Sequence, residues 1–468
     1  MSAVFTPILV IFLVILIFNV IIFVHELGHF WAARWRGLEV ERFQIWFGKP
    51  IWKKEHNGVQ YGLGWLPFGG FVALPQMAPM EAIEGGNKNE KPLPPVKPID
   101  KIIVAFAGPL FSFLLAFATA VVVWQVGKPD TRITSTTIGY VAKDSPAMKA
   151  GLLPGDKILE INGVAIDHFA GNMDTSILGN VVTSEGDQIK FLIQRPGEDQ
   201  ARTISSGFEI EKTSWWQRSG MRKVGIAYKE QVKAGKILDN SPADEAGVKE
   251  GDIILSINGT PATARAQILN AGQSGQPTTI EIKRGDETKS LTLTGRKPLA
   301  PHDEHASFGM ALPFDESLLE STTKYPGPWQ QIVDSASVMK KTLQLVTSST
   351  SSIGVDQLAG PIGIGKGYYQ MLTSEDGWKL ALAFTVLFNI NLAILNMLPF
   401  PVLDGGHITL SFLEMIARRP IKARVLEFIQ MAFVLMIFSL FIYITSKDVG
   451  SFFGGDPEKK EIKFAPSK

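Results

Sequence analysis

Two short stretches of this chain carry residue types that do chemistry, and they lie far apart. The first is HELGH, His25 to His29, at the end of an apolar run. His25 and His29 are four residues apart, so on a helix they project from one face about a turn apart. Imidazoles placed that way can bind one metal ion at ~2.0–2.1 Å. Glu26 lies beside them, positioned to take a proton from a water on that metal, which is the HExxH arrangement of zinc metalloproteases. The bland alternative is a pair of histidines closing a helix at the membrane surface. Ionisable groups at membrane depth are costly and usually functional, which favours the metal.

The second stretch is NMLPFPVLDGGH, Asn396 to His407. Two histidines leave a catalytic zinc one protein ligand short. Asp404 is the strong candidate for that place. Pro399 and Pro401 stop a helix, so the chain can bend back. Gly405 and Gly406 permit a tight turn after the aspartate. His407 is the rival ligand and reads better as a supporting or capping residue. His56, His168, His302 and His305 lie in predicted soluble segments and read as ordinary surface histidines.

The elements that must hold these residues are legible in composition. The chain has 468 residues, 45% hydrophobic and 19% charged, with a net charge of +1. That balance indicates an integral membrane protein with soluble parts, and it gives no basic footprint for nucleic acid. With no cysteine, disulfide and thiolate chemistry are excluded. Four runs are long enough to span a bilayer: 8–24, 102–126, 380–398 and 425–444. The first has no basic segment or cleavage site before His25 and reads as a retained helix rather than a signal peptide. Lys and Arg follow the first run and fill the turn between the third and fourth, so both loops are expected in the cytoplasm. Both termini and the segment from about 128 to 376 are then expected on the opposite side. The first and third spans run the same way, which brings HELGH and residues 396–404 to one depth.

That opposite segment contains a repeat. Ser145-Pro146-Ala147, Gly151, Gly155-Asp156 and Asn162-Gly163 match Ser241-Pro242-Ala243, Gly247, Gly251-Asp252 and Asn258-Gly259 at one constant offset. Serine caps a short helix, glycine ends it, and Asn-Gly makes a tight turn between strands. The pattern resembles tandem PDZ domains of the bacterial type. Such domains bind an extended peptide at a sheet edge, and the alternative is a spacer or size filter.

HELGH, the Asn396-to-Gly405 pattern NxxPxxxxDG and an inserted PDZ pair together resemble the site-2 protease family of intramembrane zinc metalloproteases. The resemblance implies one Zn2+ held by His25, His29 and Asp404, Glu26 as general base, and Asn396 steadying the substrate carbonyl. It implies a bacterial inner-membrane enzyme with its site toward the cytoplasm, touching lipid and cutting a single-pass protein such as a trimmed anti-sigma factor. Signal-peptide remnants are a further substrate, and a peptide C-terminus could bind the PDZ pair.

The expected fold is a polytopic α-helical membrane protein with four transmembrane helices, a membrane-associated β-hairpin and two inserted PDZ domains. Its parts are a first span with HELGH (1–34), hairpin loop and linker (35–100), second span (101–127), PDZ repeats (128–219 and 220–315) and amphipathic region (316–376). A third span (377–400), LDG segment and turn (401–424), fourth span (425–446) and tail (447–468) complete it. Within the loop, residues 58–74 alternate apolar and small residues about a Pro67–Gly70 turn, a hairpin signature. Gly69, Gly70 and Phe71 there, with Asn389 and Asn391 in the third span, are candidates for gripping extended substrate backbone. Residues 329–346 read as an amphipathic helix on the outer membrane face, LAGPIGIG (358–365) as a loop, and 88–101 as an uncovered linker. Two other classes fit less well: a membrane-anchored PDZ scaffold with a structural metal, and a metal transporter, which would need polar residues in several spans.

Overall fold

A computed structural model describes residues 5–77, 96–299, 305–418, 423–453 and 463–465. It divides into two compact units, one formed by Met1–Pro129, Thr323–Gln344 and Leu358–Asp448, the other by Asp130–Thr322, Leu345–Gln357 and Val449–Lys468.

In the first unit the chain runs α1 (Phe5–Arg36), β1 (Arg42–His56), β2 (Val59–Ala73), α2 (Pro98–Val126), α3 (Pro328–Thr347), α4 (Pro361–Thr373), α5 (Gly377–Asn396), α6 (Asp404–Ala417) and α7 (Ala423–Phe453). Among the described residues four helices are long and apolar enough to cross a membrane, over Pro7–Arg36, Pro98–Val126, Gly377–Asn396 and Phe428–Gly450. The hub is α2, which packs against α1, α5 and α6. Its buried face reads Ala105, Gly108, Ser112, Ala116, Ala120 and Val123, a row of mostly small residues at helical spacing. In lipid no hydrophobic effect drives helices together, so close approach at small residues does that work. Ion pairs fasten its N-terminal end: Arg36 to Asp100 at 2.6 Å and Lys101 to Glu414 at 3.1 Å.

The sheet departs from the expected hairpin. Residues 60–63 and 70–73 run in opposite directions, so the chain does reverse between them, with Gly69 at positive φ, but the two stretches flank 42–45 instead of pairing with each other. The tight turn is at Asn57 and Gly58, both with positive φ, and β1 bends so that its two halves serve different neighbours. Residues 52–56 pair with 59–63, while 42–45 lie between 60–63 on one side and 70–73 on the other. The alternation was legible, but the partner of 70–73 is the distant segment 42–45, which local periodicity does not reveal. Trp46 Nε1 donates to Asn19 Oδ1 at 2.6 Å, tying the sheet to α1.

Two further expectations are corrected here. Residues 361–365 of LAGPIGIG are helical, opening α4, and Asp448 of α7 accepts from the Gly363 N–H at 2.8 Å. A side chain at Gly360 or Gly363 would collide with that carboxylate. The amphipathic α3 buries Ile332 with Ala116, Ala120 and Val123 of α2, rather than lying against lipid alone. Residues 88–95 of the expected linker 88–101 lie outside the described residues, as do 419–422 of the basic turn, while 98–101 already belong to α2.

In the second unit the two repeats have matching sheets. Strands 164–165, 157–161, 189–194 and 202–206 lie side by side in that order, as do 260–261, 253–257, 277–284 and 287–294. Ser145 and Ser241 cap their helices by accepting from Met148 and Asp244 N–H groups, both at 3.2 Å. Asn162-Gly163 and Asn258-Gly259 all take positive φ, the requirement of the tight hairpin turn. The first core includes Val224, and strand 226–228 pairs with 138–141, so this repeat runs past the expected boundary at 219. His168 is not a surface residue. It is 1% exposed, bridged to Ser176 and hydrogen-bonded to Asp167. His56 and His305 are exposed, and His302 is outside the described residues.

The Gly-Asp signature does more than turn the chain. Asp156 receives the fork of Arg195, with both contacts at 2.8 Å, and Asp252 receives that of Arg284 at 2.8 and 2.7 Å. Each arginine also donates to the carbonyl of the helix-ending glycine, Gly151 or Gly247, at 2.8 Å. Burial alone would push the Asp252 carboxyl up, but Arg284 and the Lys249 N–H outweigh it and hold the carboxyl below its usual range. The interaction is therefore complete above the unfolded carboxylate value of ~4 and is lost as pH falls through the lower folded value. Asp252→Ala is expected to destabilise the second repeat by about 2 kcal/mol at pH 7. Hydrogen exchange across Ile253–Ile257 in the full chain measures this, and the gap to wild type should narrow below pH ~4. Unchanged exchange at pH 7 would refute it.

Candidate active site

The first unit brings the two reactive stretches together. His25 and His29 sit one turn apart on α1, and Asp404 is the first residue of α6. His25 Nε2 is 3.4 Å from Asp404 Oδ2, His29 Nε2 is 3.3 Å from Asp404 Oδ1, and the two Nε2 atoms are 3.3 Å apart. Ligands at the corners of a tetrahedron around zinc, bound at ~2.0–2.1 Å, stand ~3.3–3.4 Å from one another. All three edges of this triangle have that length. It is also the group of three His, Asp or Glu side chains, among the described residues, whose ligand atoms lie within 4.8 Å of one another.

The rear of each imidazole is held by α2. His25 Nδ1 pairs with Ser112 Oγ and His29 Nδ1 with the Val104 carbonyl, each at 2.9 Å. The Val104 contact requires the proton on Nδ1, which leaves His29 Nε2 a lone pair for the triangle. Sequence reasoning missed both partners. Ser112 had a signal, since it is the one polar side chain between Ile102 and Ala118. A backbone carbonyl such as Val104 gives none.

These contacts need α1 and α2 nearly touching. A Cβ at Gly108 would stand 2.1 Å from His29 Nε2, and one at Gly28 would stand 2.4 Å from the Ala107 carbonyl oxygen. The glycines after Asp404 act in a similar way. Gly405 and Gly406 are helical and do not form a turn; a side chain on either would strike carbonyls of Met397, Leu398 or Phe400. The turn lies before the aspartate, over residues 397–403.

Burial by itself would push the Asp404 carboxyl up, but positive charge at the imidazole nitrogens facing it, which a bound cation would supply in place of protons, holds it below the usual range as an anion. Its Oδ2 is buried without a hydrogen-bond partner. Burial pushes the His407 imidazole below its usual value, which keeps it neutral; it lies outside the triangle. Two imidazole nitrogens and an anionic, unsatisfied carboxylate oxygen suit a divalent zinc.

A cleft of about 890 Å³ opens on this triangle. Glu26, Asn396, Gly69, Gly70 and Phe71 line it together with His25, His29 and Asp404. Gly70 lies in the 70–73 segment beside Glu26, where an added Cβ would come within 3.3 Å of the Glu26 side chain. Asn389 and Asn391 are not among the lining residues. Asn389 is fully buried and donates to the Thr385 carbonyl at 2.9 Å, and the Oδ1 atoms of both asparagines are buried without partners.

Comparison with known proteins bears on what this arrangement does. The model of peptidase family M50 matches residues 13–440. The regulator of sigma-E protease RseP of Escherichia coli is 29% identical over 441 residues, covering 88% of this chain and 91% of that protein. A Vibrio cholerae protein whose name classes it provisionally as a zinc metalloprotease is 29% identical over 438 residues, covering 88% and 92%. The crystal structure of a PDZ domain from a Listeria monocytogenes SdrC-like protein matches 19% of this chain and 94% of that domain, at 20% identity and a TM-score of 0.17. With a family match that takes in both HELGH and Asp404, this chain belongs to peptidase family M50, the site-2 proteases, and is a zinc metalloendopeptidase.

Proposed function

We propose that the enzyme cuts single-pass membrane proteins within the bilayer, with one zinc ion held by His25, His29 and Asp404. The observation that carries this reading is the triangle of ligand atoms with tetrahedral edges, facing a cleft lined by Glu26. Zinc bound there would supply Lewis-acid chemistry, acidifying a water and polarising a peptide carbonyl. Glu26 takes the proton of the attacking water and returns it to the leaving amine. Asn396, also in the cleft, donates its amide to the carbonyl oxygen as charge develops there.

A membrane-spanning substrate is helical and must be drawn out before its backbone can be attacked. The 70–73 segment is an outer strand of its sheet at the cleft, and such an edge can hold an extended chain. Gly69 and Gly70 keep the approach open and Phe71 supplies an apolar contact. Ile51, Trp52 and Trp65 on the sheet are more than half exposed, which suits a sheet dipping into lipid. Asn389 and Asn391 serve packing between helices rather than substrate. The substrate class is a trimmed anti-sigma factor in a bacterial inner membrane, with signal-peptide remnants as further candidates. The repeats act as two PDZ domains, which hold a fresh C-terminus or exclude untrimmed substrates. The basic loops lie in the cytoplasm, and the termini and repeats lie on the opposite side.

Three measurements test this. Glu26→Gln is expected to bind zinc at the wild-type ratio and to lose at least about a hundredfold in cleavage of a single-pass substrate. Full activity in that variant would overturn the role of Glu26. His25→Ala and Asp404→Ala should each lose the metal by elemental analysis of the purified protein, and retention in either would remove that residue from the ligand set. Gly108→Ala, whose methyl group would crowd His29 Nε2, should lower zinc occupancy by displacing His29, and normal occupancy would show that the helices can part without harm.

A further inference from the structure

The second unit carries a feature that hydrolysis does not use. Between the short strands 209–210 and 222–223 the chain makes a loop bearing Trp215 and Trp216. Trp215 is 84% exposed and Trp216 47%, the two rings meeting edge-on at 5.8 Å. Ile210 and Met221, on either side of the loop, are 44% and 47% exposed. The loop is firmly held. Ser214 N–H donates to Gln217 Oε1 at 2.9 Å, and Ser219 N–H donates to Asp356 at 2.7 Å.

Its position is the second observation. The Trp216 carbonyl oxygen abuts Gly450, where an added Cβ would stand 2.2 Å away. Gly450 is the last residue of the apolar span Phe428–Gly450. The loop therefore touches the residue at which this apolar span ends. Indole rings favour the end of a membrane span, because it is apolar on one side and wet on the other.

We propose that the Trp215–Trp216 loop is a lipid-interface anchor, which seats its repeat on the headgroup layer at the exit of the last helix. Exposing so large a ring to bulk water would sacrifice most of its burial free energy, and acyl and headgroup contacts recover it. The proposal concerns lipid contact alone and stands whether or not the zinc chemistry above is right.

The absence of cysteine makes a background-free test available. Trp215→Cys and, separately, Ser214→Cys, which keeps both tryptophans, are spin-labelled in the full chain. Each is reconstituted in phosphatidylethanolamine–phosphatidylglycerol vesicles. Leu269→Cys, 55% exposed on the second repeat, is the aqueous control. Collision with oxygen relative to a water-soluble nickel complex is expected to be severalfold higher at 214 and 215 than at 269. Equal ratios at the three positions would overturn the anchor. Protection of the loop labels from both reagents, with spin–spin broadening, would also overturn it and show a second copy of the chain on the patch instead.

Discussion

The site depends on how closely two helices approach. α1 carries the imidazoles, but a helix can only bring them to one face; it cannot choose which nitrogen points outward. That choice is made by α2, through Ser112 and the Val104 carbonyl, and both lie in reach only because Gly28 and Gly108 let the backbones nearly touch. Each tether costs a rotatable side chain its freedom before any ligand arrives, which is preorganisation in its simplest form. The ion pairs at the end of the crossing, Arg36 with Asp100 and Lys101 with Glu414, keep the helices from sliding along that seam.

Polar burial explains why so much else converges there. An anionic carboxylate with an unsatisfied buried oxygen is unfavourable unless something positive shares the site. The neutral His407 does not compensate Asp404, and Lys101 is engaged with Glu414. A divalent cation resolves the imbalance. The same need constrains the chain before Asp404: residues 397–403 must turn sharply so that α6 starts at the triangle, and the carbonyls in that turn leave no room for side chains at Gly405 and Gly406.

What was legible in the sequence follows from the range of each signal. HELGH and the spans are local and periodic, so four residues of spacing or twenty of hydropathy suffice. The repeat was legible because caps and tight turns demand particular residues, and Ser145, Ser241, Asn162 and Asn258 meet those demands. The failures were long-range. The strand at 70–73 pairs with 42–45, the strand at 226–228 returns to 138–141 across a whole repeat, and neither partner is encoded nearby. His168 looked like a surface residue because polarity was the only cue, while the loop that covers it is irregular and carries no period. LAGPIGIG looked like a loop because glycine is a poor helix former. Its glycines instead make room for the Asp448 carboxylate, which accepts from the first turn of α4.

The two repeats show how one signature can be misread and still locate the right residue. Gly-Asp reads as a turn, and it is one; yet the aspartate is also an anchor, since both Asp156 and Asp252 are essentially unexposed and each holds an arginine fork from a later strand. The arginine then reaches the carbonyl left open where the short helix ends. One buried anion thus joins a helix end, a turn and a strand. That linkage needs no large core, which suits a small module whose burial is limited by its size. The two modules that share the linkage also share much of their cores: Ile193 in one stands where Ile282 stands in the other, while Phe191 is replaced by Ile280. The polar clip and the isoleucines behind it therefore recur together in both modules, each holding the same turn against the same sheet.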